Sequence, residues 1–150
     1  MTPEIRDLAA QPVLIEHAVT DADGLPVTID RTFPALFGRL GEMGIPPAGP
    51  PFIRYLRTAE RLEIELGVPV PRDLTDRAAA GIETLPAGRA AVLTYTGPYD
   101  GLREACAELG RWVHQHGETP AGPFWESYVT DPRTEPDATK RVTEIYQPLE

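Results

Sequence analysis

Glu126 sits in the run Phe124-Trp125-Glu126-Ser127-Tyr128-Val129, whose other residues read as the interior of a sheet. Side chains alternate along a strand. Glu126 and Tyr128 therefore share one face, while Trp125, Ser127 and Val129 share the other. A carboxylate walled by aromatic rings suits a planar cation, because the charge neutralises the ligand and the rings stack on its faces. The same pair suits polarising a water for attack on an electrophile. Spacing alone leaves a third reading open, an edge-strand glutamate that meets solvent.

The element holding Glu126 is one of two copies. Residues 44–55 read G-I-P-P-A-G-P-P-F-I-R-Y, and residues 117–128 read G-E-T-P-A-G-P-F-W-E-S-Y. Six of the twelve positions are identical, and Phe52/Trp125 are aromatic in both, at an offset of 73 residues. Two copies at that spacing exclude a solenoid and fit a duplicated α+β unit related by a pseudo-two-fold axis. Such an arrangement is expected to form a cleft between the copies. The copies differ at the informative position, where Ile53 stands for Glu126. Under the pseudo-symmetry, Tyr55, Tyr128 and Glu126 are expected to approach the cleft from opposite sides.

Other candidates carry weaker signals. Tyr146 shares a strand face with Glu144, and it reads by itself as an amphipathic tyrosine at a sheet rim. Phe33 and Phe37 fall on a helical stripe that reads first as core and second as ligand-stacking surface. Tyr99 reads as a turn residue, and Tyr95 and Trp112 as core. Cys106 sits on an apolar helical stripe with no neighbouring His in sequence, which makes it a buried, unreactive thiol. His17, His114 and His116 show no metal spacing. No phosphate loop, dinucleotide fingerprint, zinc motif or serine elbow is present, so neither a metal nor a cofactor is expected.

The pattern of apolar residues places these side chains. Pro12–Thr20 reads as a strand and Asp21–Pro26 as a turn. Ile29, Phe33, Leu36, Phe37, Leu40 and Met43 follow a helical period. Pro34 in a first turn would start that helix near Thr32, and Gly44 ends it. Strands follow at Phe52–Arg57 and around Leu62–Leu66. Pro71–Gly81 reads as the connection between halves, and Ile82–Pro86 as the opening of the second. The second half repeats the order: a strand at Arg89–Thr96, a helix through Leu102–Val113 stopped by Gly117, and strands at Phe124–Thr130 and Val142–Pro148. Each half thus reads β-α-β-β, with repeat one at about 10–70 and repeat two at about 81–150 of a single domain spanning 1–150.

The whole chain of 150 residues carries a net charge of −9. That charge disfavours DNA and anionic membranes as direct partners. One cysteine excludes an intramolecular disulfide. No targeting segment or membrane-length apolar run is seen, so the expected compartment is the cytoplasm. Only eleven residues precede Pro12, too few for a helix-turn-helix, and a DNA-binding regulator is not expected.

Four short runs in order resemble one family: L-P-A-G-R (Leu85–Arg89), Y-T-G-P-Y-D-G-L (Tyr95–Leu102), W-E-S-Y-V-T-D-P (Trp125–Pro132) and T-E-I-Y-Q-P-L (Thr143–Leu149). Together with G-V-P-V at Gly67–Val70, they resemble the GyrI-like small-molecule-binding domain, also called the AraC-type or transcription activator effector-binding domain. The resemblance implies a tandem β-α-β-β architecture, an antiparallel sheet with two helices on one face, and a ligand cleft between the repeats. It implies that Glu126, in the family's E-x-Y run, binds cationic aromatic compounds. Tyr128, Tyr55 and Tyr146 are carried over by strand face as pocket lining, with Phe33 and Phe37 beside them. The implied function is a stand-alone binding module for amphipathic, often cationic, aromatic molecules. Two alternatives follow from other branches. One is hydrolysis of cyclopropane-bearing electrophilic natural products, with Glu126 activating water and Tyr128 assisting. The other is a gyrase-inhibitor-like module that binds a protein partner.

Overall fold

The computed structural model describes residues 2–73 and 81–150. Among them are eight strands and two α-helices: β1 Glu4–Leu8, β2 Gln11–Thr20, α1 Leu25–Met43, β3 Phe52–Thr58, β4 Leu62–Pro69, β5 Ile82–Leu85, β6 Gly88–Thr96, α2 Leu102–Gln115, β7 Trp125–Tyr128 and β8 Val142–Pro148. The fold is α+β, and β2-α1-β3-β4 and β6-α2-β7-β8 are the two β-α-β-β repeats read from the sequence. Most of the expected connection at Pro71–Gly81 falls on residues 74–80, outside the described residues. No helix among the described residues is long and apolar enough to cross a membrane.

The chain divides into two compact units. The first holds an antiparallel sheet in the order β3-β4-β2-β5, with α1 packed on β2 and β4. Leu36 and Leu40 of α1 are buried, as are Leu14, Ile53, Ile64 and Leu66 of the strands. The second holds the order β1-β6-β8-β7, with α2 packed on β6 and β8. Here Ala91 and Leu93, Ile145 and Leu149 meet Leu102, Ala105, Leu109 and Val113 of α2. The spacing of those four helical residues is what puts them on one face.

Equivalent backbone bonds recur in the two repeats. Ala48 N–H donates to Pro69 C=O at 2.8 Å, and its counterpart Ala121 N–H donates to Pro148 C=O at 2.9 Å. Val70 N–H donates to Pro12 C=O at 3.0 Å, and Leu149 N–H to Arg89 C=O at 2.9 Å. Gly44 and Gly117, which end the two helices, have φ of 68° and 67°. That left-handed conformation is the one glycine adopts without steric cost, so both helices stop where the repeated loop begins.

Three elements differ from the sequence reading. Helix α1 begins at Leu25 rather than near Thr32, and Pro34 lies inside it. Pro26 is the proline of the first turn, where its missing N–H leaves nothing unpaired. Pro34 and Asp30 are both exposed, so water can serve the Asp30 carbonyl that Pro34 leaves without a donor. Strand β5 pairs with β2 in the first unit instead of opening the second. Strand β1, absent from the sequence reading, pairs with β6 of the second unit, Glu4 opposite Val92 through Leu8 opposite Gly88.

The repeats also differ at an equivalent pair. Trp125 on β7 stands opposite Tyr146 on β8, and the rings stack at 5.3 Å between centroids and 12° between planes. Phe52 on β3 stands opposite Gly67 on β4. A Cβ at position 67 would lie 2.7 Å from Phe52 Cε1 and 2.9 Å from Ile15 Cγ2. The phenyl ring occupies the space that any larger side chain at 67 would need.

Candidate functional site

Strand β7 brings Glu126 and Tyr128 to the face that α2 covers. Glu126 is opposite Ile145 and Tyr128 opposite Thr143, and Ile145 belongs to the core beneath α2. The Glu126 side chain is buried, at 6% exposure. Both carboxylate oxygens are engaged. Tyr128 Oη donates to Oε1 at 2.8 Å, and Cys106 Sγ donates to Oε2 at 3.4 Å. An edge-strand glutamate meeting solvent, the reading that spacing left open, does not describe this residue.

Two further side chains extend this cluster. Tyr99, in the 3-10 turn that leads into α2, places its ring edge-on to Tyr128 at 6.0 Å and 75°. Arg141 lies over the Tyr99 ring at 5.3 Å from its centroid. Burial raises the Tyr99 phenol above its usual range, with the Arg141 charge opposing. Thr143 is fully buried, and its hydroxyl has no hydrogen-bond partner among the described residues. Cys106 and Tyr99 were missed as neighbours of Glu126 because strand-face reasoning looks along β7 alone. The signal available was the helical stripe containing Cys106, which marks the face of α2 that must lie on the sheet.

Cys106 is half-buried and packs against the α2 core. Its thiol is pushed well above the ordinary cysteine range, first by burial and then by the Glu126 carboxylate it faces. The nucleophilic thiolate is therefore disfavoured twice over. A polar disulfide reagent at neutral pH is expected to modify native Cys106 at least tenfold more slowly than the urea-unfolded thiol. Equal rates, followed by absorbance of the released thiolate, would contradict this.

Of the other expected lining residues, one belongs to the second unit and three to the first. Tyr146 lies on the Trp125 face of its sheet, opposite to Glu126, and its hydroxyl donates to Glu144 Oε1 at 3.0 Å. Arg6 of β1 donates to the other oxygen of Glu144 at 3.1 Å. Burial, and then the Glu144 charge, push the Tyr146 phenol up to about 12. Tyr55 on β3 and Phe33 and Phe37 on α1 are half-buried members of the other unit. Within the second unit the structure thus brings together Glu126 and Tyr128, and adds Cys106 and Tyr99.

The family profile described as GyrI-like small molecule binding domain matches residues 1–150. The chain belongs to the GyrI-like family. No curated protein matches the sequence. Among solved structures, the GyrI-like chain is similar to the C-terminal domain of EcmrR, with a TM-score of 0.85 and 20% identity over 99% of this chain and 97% of that one. EcmrR in its DNA complex is similar at a TM-score of 0.83 and 20% identity, and there the match spans 99% of this chain but only 57% of EcmrR. SAV2435 bound to tetraphenylphosphonium is similar at a TM-score of 0.66 and 16% identity, over 100% of this chain and 94% of that one. A hydrolase encoded by lin2189 from Listeria innocua is similar at a TM-score of 0.65 and 15% identity, over 99% and 91%. At these identities the likenesses establish a shared GyrI-like fold.

Proposed function

We propose that this GyrI-like domain binds amphipathic, cationic aromatic small molecules and that Glu126 recognises their charge. The observation that carries this reading is the buried Glu126 carboxylate, held on both oxygens beside the Tyr128–Tyr99 ring pair. A carboxylate withdrawn from water interacts strongly with a cation that reaches it, because the local dielectric is low. Neighbouring rings add stacking and cation–π attraction. Tetraphenylphosphonium, the ligand of the similar SAV2435, joins a delocalised positive charge to aromatic surface and is the natural probe.

A second reading, hydrolysis of a cyclopropane-bearing electrophile, draws on the Tyr128 hydroxyl at 2.8 Å from Glu126. That pair joins a basic oxygen to a proton donor, the two groups a ring-opening hydration needs.

Titration calorimetry with tetraphenylphosphonium and with neutral triphenylphosphine oxide tests the binding reading. Saturable one-to-one binding of the cation is expected, at least fivefold tighter than that of the neutral compound. The preference should persist at 0.5 M salt, where surface attraction by an acidic protein is screened over roughly 4 Å. Loss of the preference with added salt would reduce it to bulk charge. Time-dependent consumption of a cyclopropane substrate would favour the hydrolase instead.

A further inference from the structure

We infer that the first unit holds a divalent transition-metal site formed by His17, Glu65 and Glu83. The three residues come from three adjacent strands, β2, β4 and β5. His17 stands directly opposite Glu65 across the β2–β4 ladder, so their side chains project from the same face. Strand β5 runs along the other edge of β2 and supplies Glu83. One donor atom from each residue can be chosen so that all lie within 4.8 Å of one another.

The spacing of these atoms favours a shared ion over direct pairing. His17 Nε2 is 3.5 Å from Glu65 Oε2 and 3.7 Å from Glu83 Oε2. Both separations exceed an ordinary N–H···O hydrogen bond, which spans roughly 2.7–3.2 Å. Two ligands on a tetrahedral ion, each at about 2.1 Å from it, are about 3.4 Å apart. The imidazole therefore already stands from each carboxylate at close to the separation a zinc-like ion requires.

The surroundings suit such an ion. Glu65 is buried, at 8% side-chain exposure, and its second oxygen is 3.6 Å from Arg54 Nη1. A ligating carboxylate oriented through its other oxygen is a recurrent second-layer arrangement in metal sites. Arg54 balances one of the two carboxylates, and a divalent cation would balance the other. His17 and Glu83 are 62% and 55% exposed, which gives the ion an entry path and leaves a fourth position for water. One imidazole and two carboxylates select borderline ions such as zinc or cobalt over magnesium, which prefers an all-oxygen octahedral shell. The sequence concealed the cluster because its residues are 48 and 18 positions apart, and only strand pairing joins them.

Cobalt(II) provides the test, because its visible absorption reports geometry and ligand type. Chelator-treated protein of residues 1–150 should bind one equivalent of cobalt with a visible d–d band. It should show no sulfur charge-transfer band, since Cys106 is not a ligand. Zinc should displace cobalt, and millimolar magnesium should not. His17→Ala and Glu83→Gln alter exposed side chains and should leave the metal-free melting curve unchanged, yet each should weaken cobalt binding at least tenfold. Absence of the d–d band, or unchanged affinity in both variants, would overturn the site.

Discussion

Glu126→Gln is expected to weaken binding of tetraphenylphosphonium by roughly 1–3 kcal/mol, the scale of a hydrogen bond to a charged group. In affinity that is a loss of roughly 5- to 150-fold, since about 1.4 kcal/mol is a factor of ten. Glutamine preserves the shape of the side chain, and its amide oxygen can still accept from Tyr128 Oη. The substitution therefore removes charge while leaving the strand and its neighbours in place. Triphenylphosphine oxide should bind wild type and variant with nearly the same affinity. Calorimetry on both proteins with both compounds gives the four constants required. A parallel loss for cation and neutral compound would indicate a damaged pocket, not charge recognition. If the domain is instead a hydrolase, Glu126→Gln should abolish turnover while substrate still binds.

Leu93→Ala should produce the largest loss of stability, roughly 2–5 kcal/mol. Leu93 is fully buried on β6 and belongs to the core beneath α2, with Leu102, Leu109 and Ile145. Truncation removes methyl and methylene groups from a place that water cannot reach, and close-packed neighbours relax only partly into the cavity. The damage should extend to the site, because α2 carries Cys106, the donor to Glu126 Oε2. Leu93→Met conserves volume and should cost less than about 1.5 kcal/mol. Urea unfolding followed by Trp112 and Trp125 fluorescence separates the two variants. A loss below about 1 kcal/mol for Leu93→Ala would mean that α2 does not depend on this packing.

The parts of the fold legible in the sequence were those with strong local periodicity. The apolar stripe from Leu102 to Val113 marked α2, and the alternation in β7 put Glu126 and Tyr128 on one face. The duplicated Gly/Pro loop revealed the repeat, because identical turn chemistry at equal offsets rarely arises by accident. What failed was what depends on distant pairing. β1 is a five-residue strand whose partner, β6, begins at Gly88. Nothing local to Glu4–Leu8 identifies that partner. Which face of the sheet Tyr146 and Glu144 share is not legible locally for a related reason. Alternation fixes which residues of β8 lie together, but only the register with β7 decides which set faces α2. The start of α1 was misplaced because Pro26 and Pro34 are both admissible as a first-turn proline. Choosing between them depends on whether Asp30, whose carbonyl Pro34 leaves without a donor, is exposed in the formed helix.

The unequal ring packing in the two repeats has an evolutionary consequence. Tyr146 and Trp125 touch face to face, and the half-buried Tyr146 can be trimmed alone at the cost of some stacking. Phe52 and Gly67 have no such independence, since the ring fills the volume where a Cβ at 67 would stand. Enlarging position 67 first meets the phenyl ring, and shrinking position 52 first opens a void. Both single steps lead downhill in stability, although a smaller residue at 52 with alanine at 67 could restore the packing. Drift at this point of the first repeat therefore has to cross a valley in stability, while at the matching point of the second repeat position 146 stays free to vary by itself.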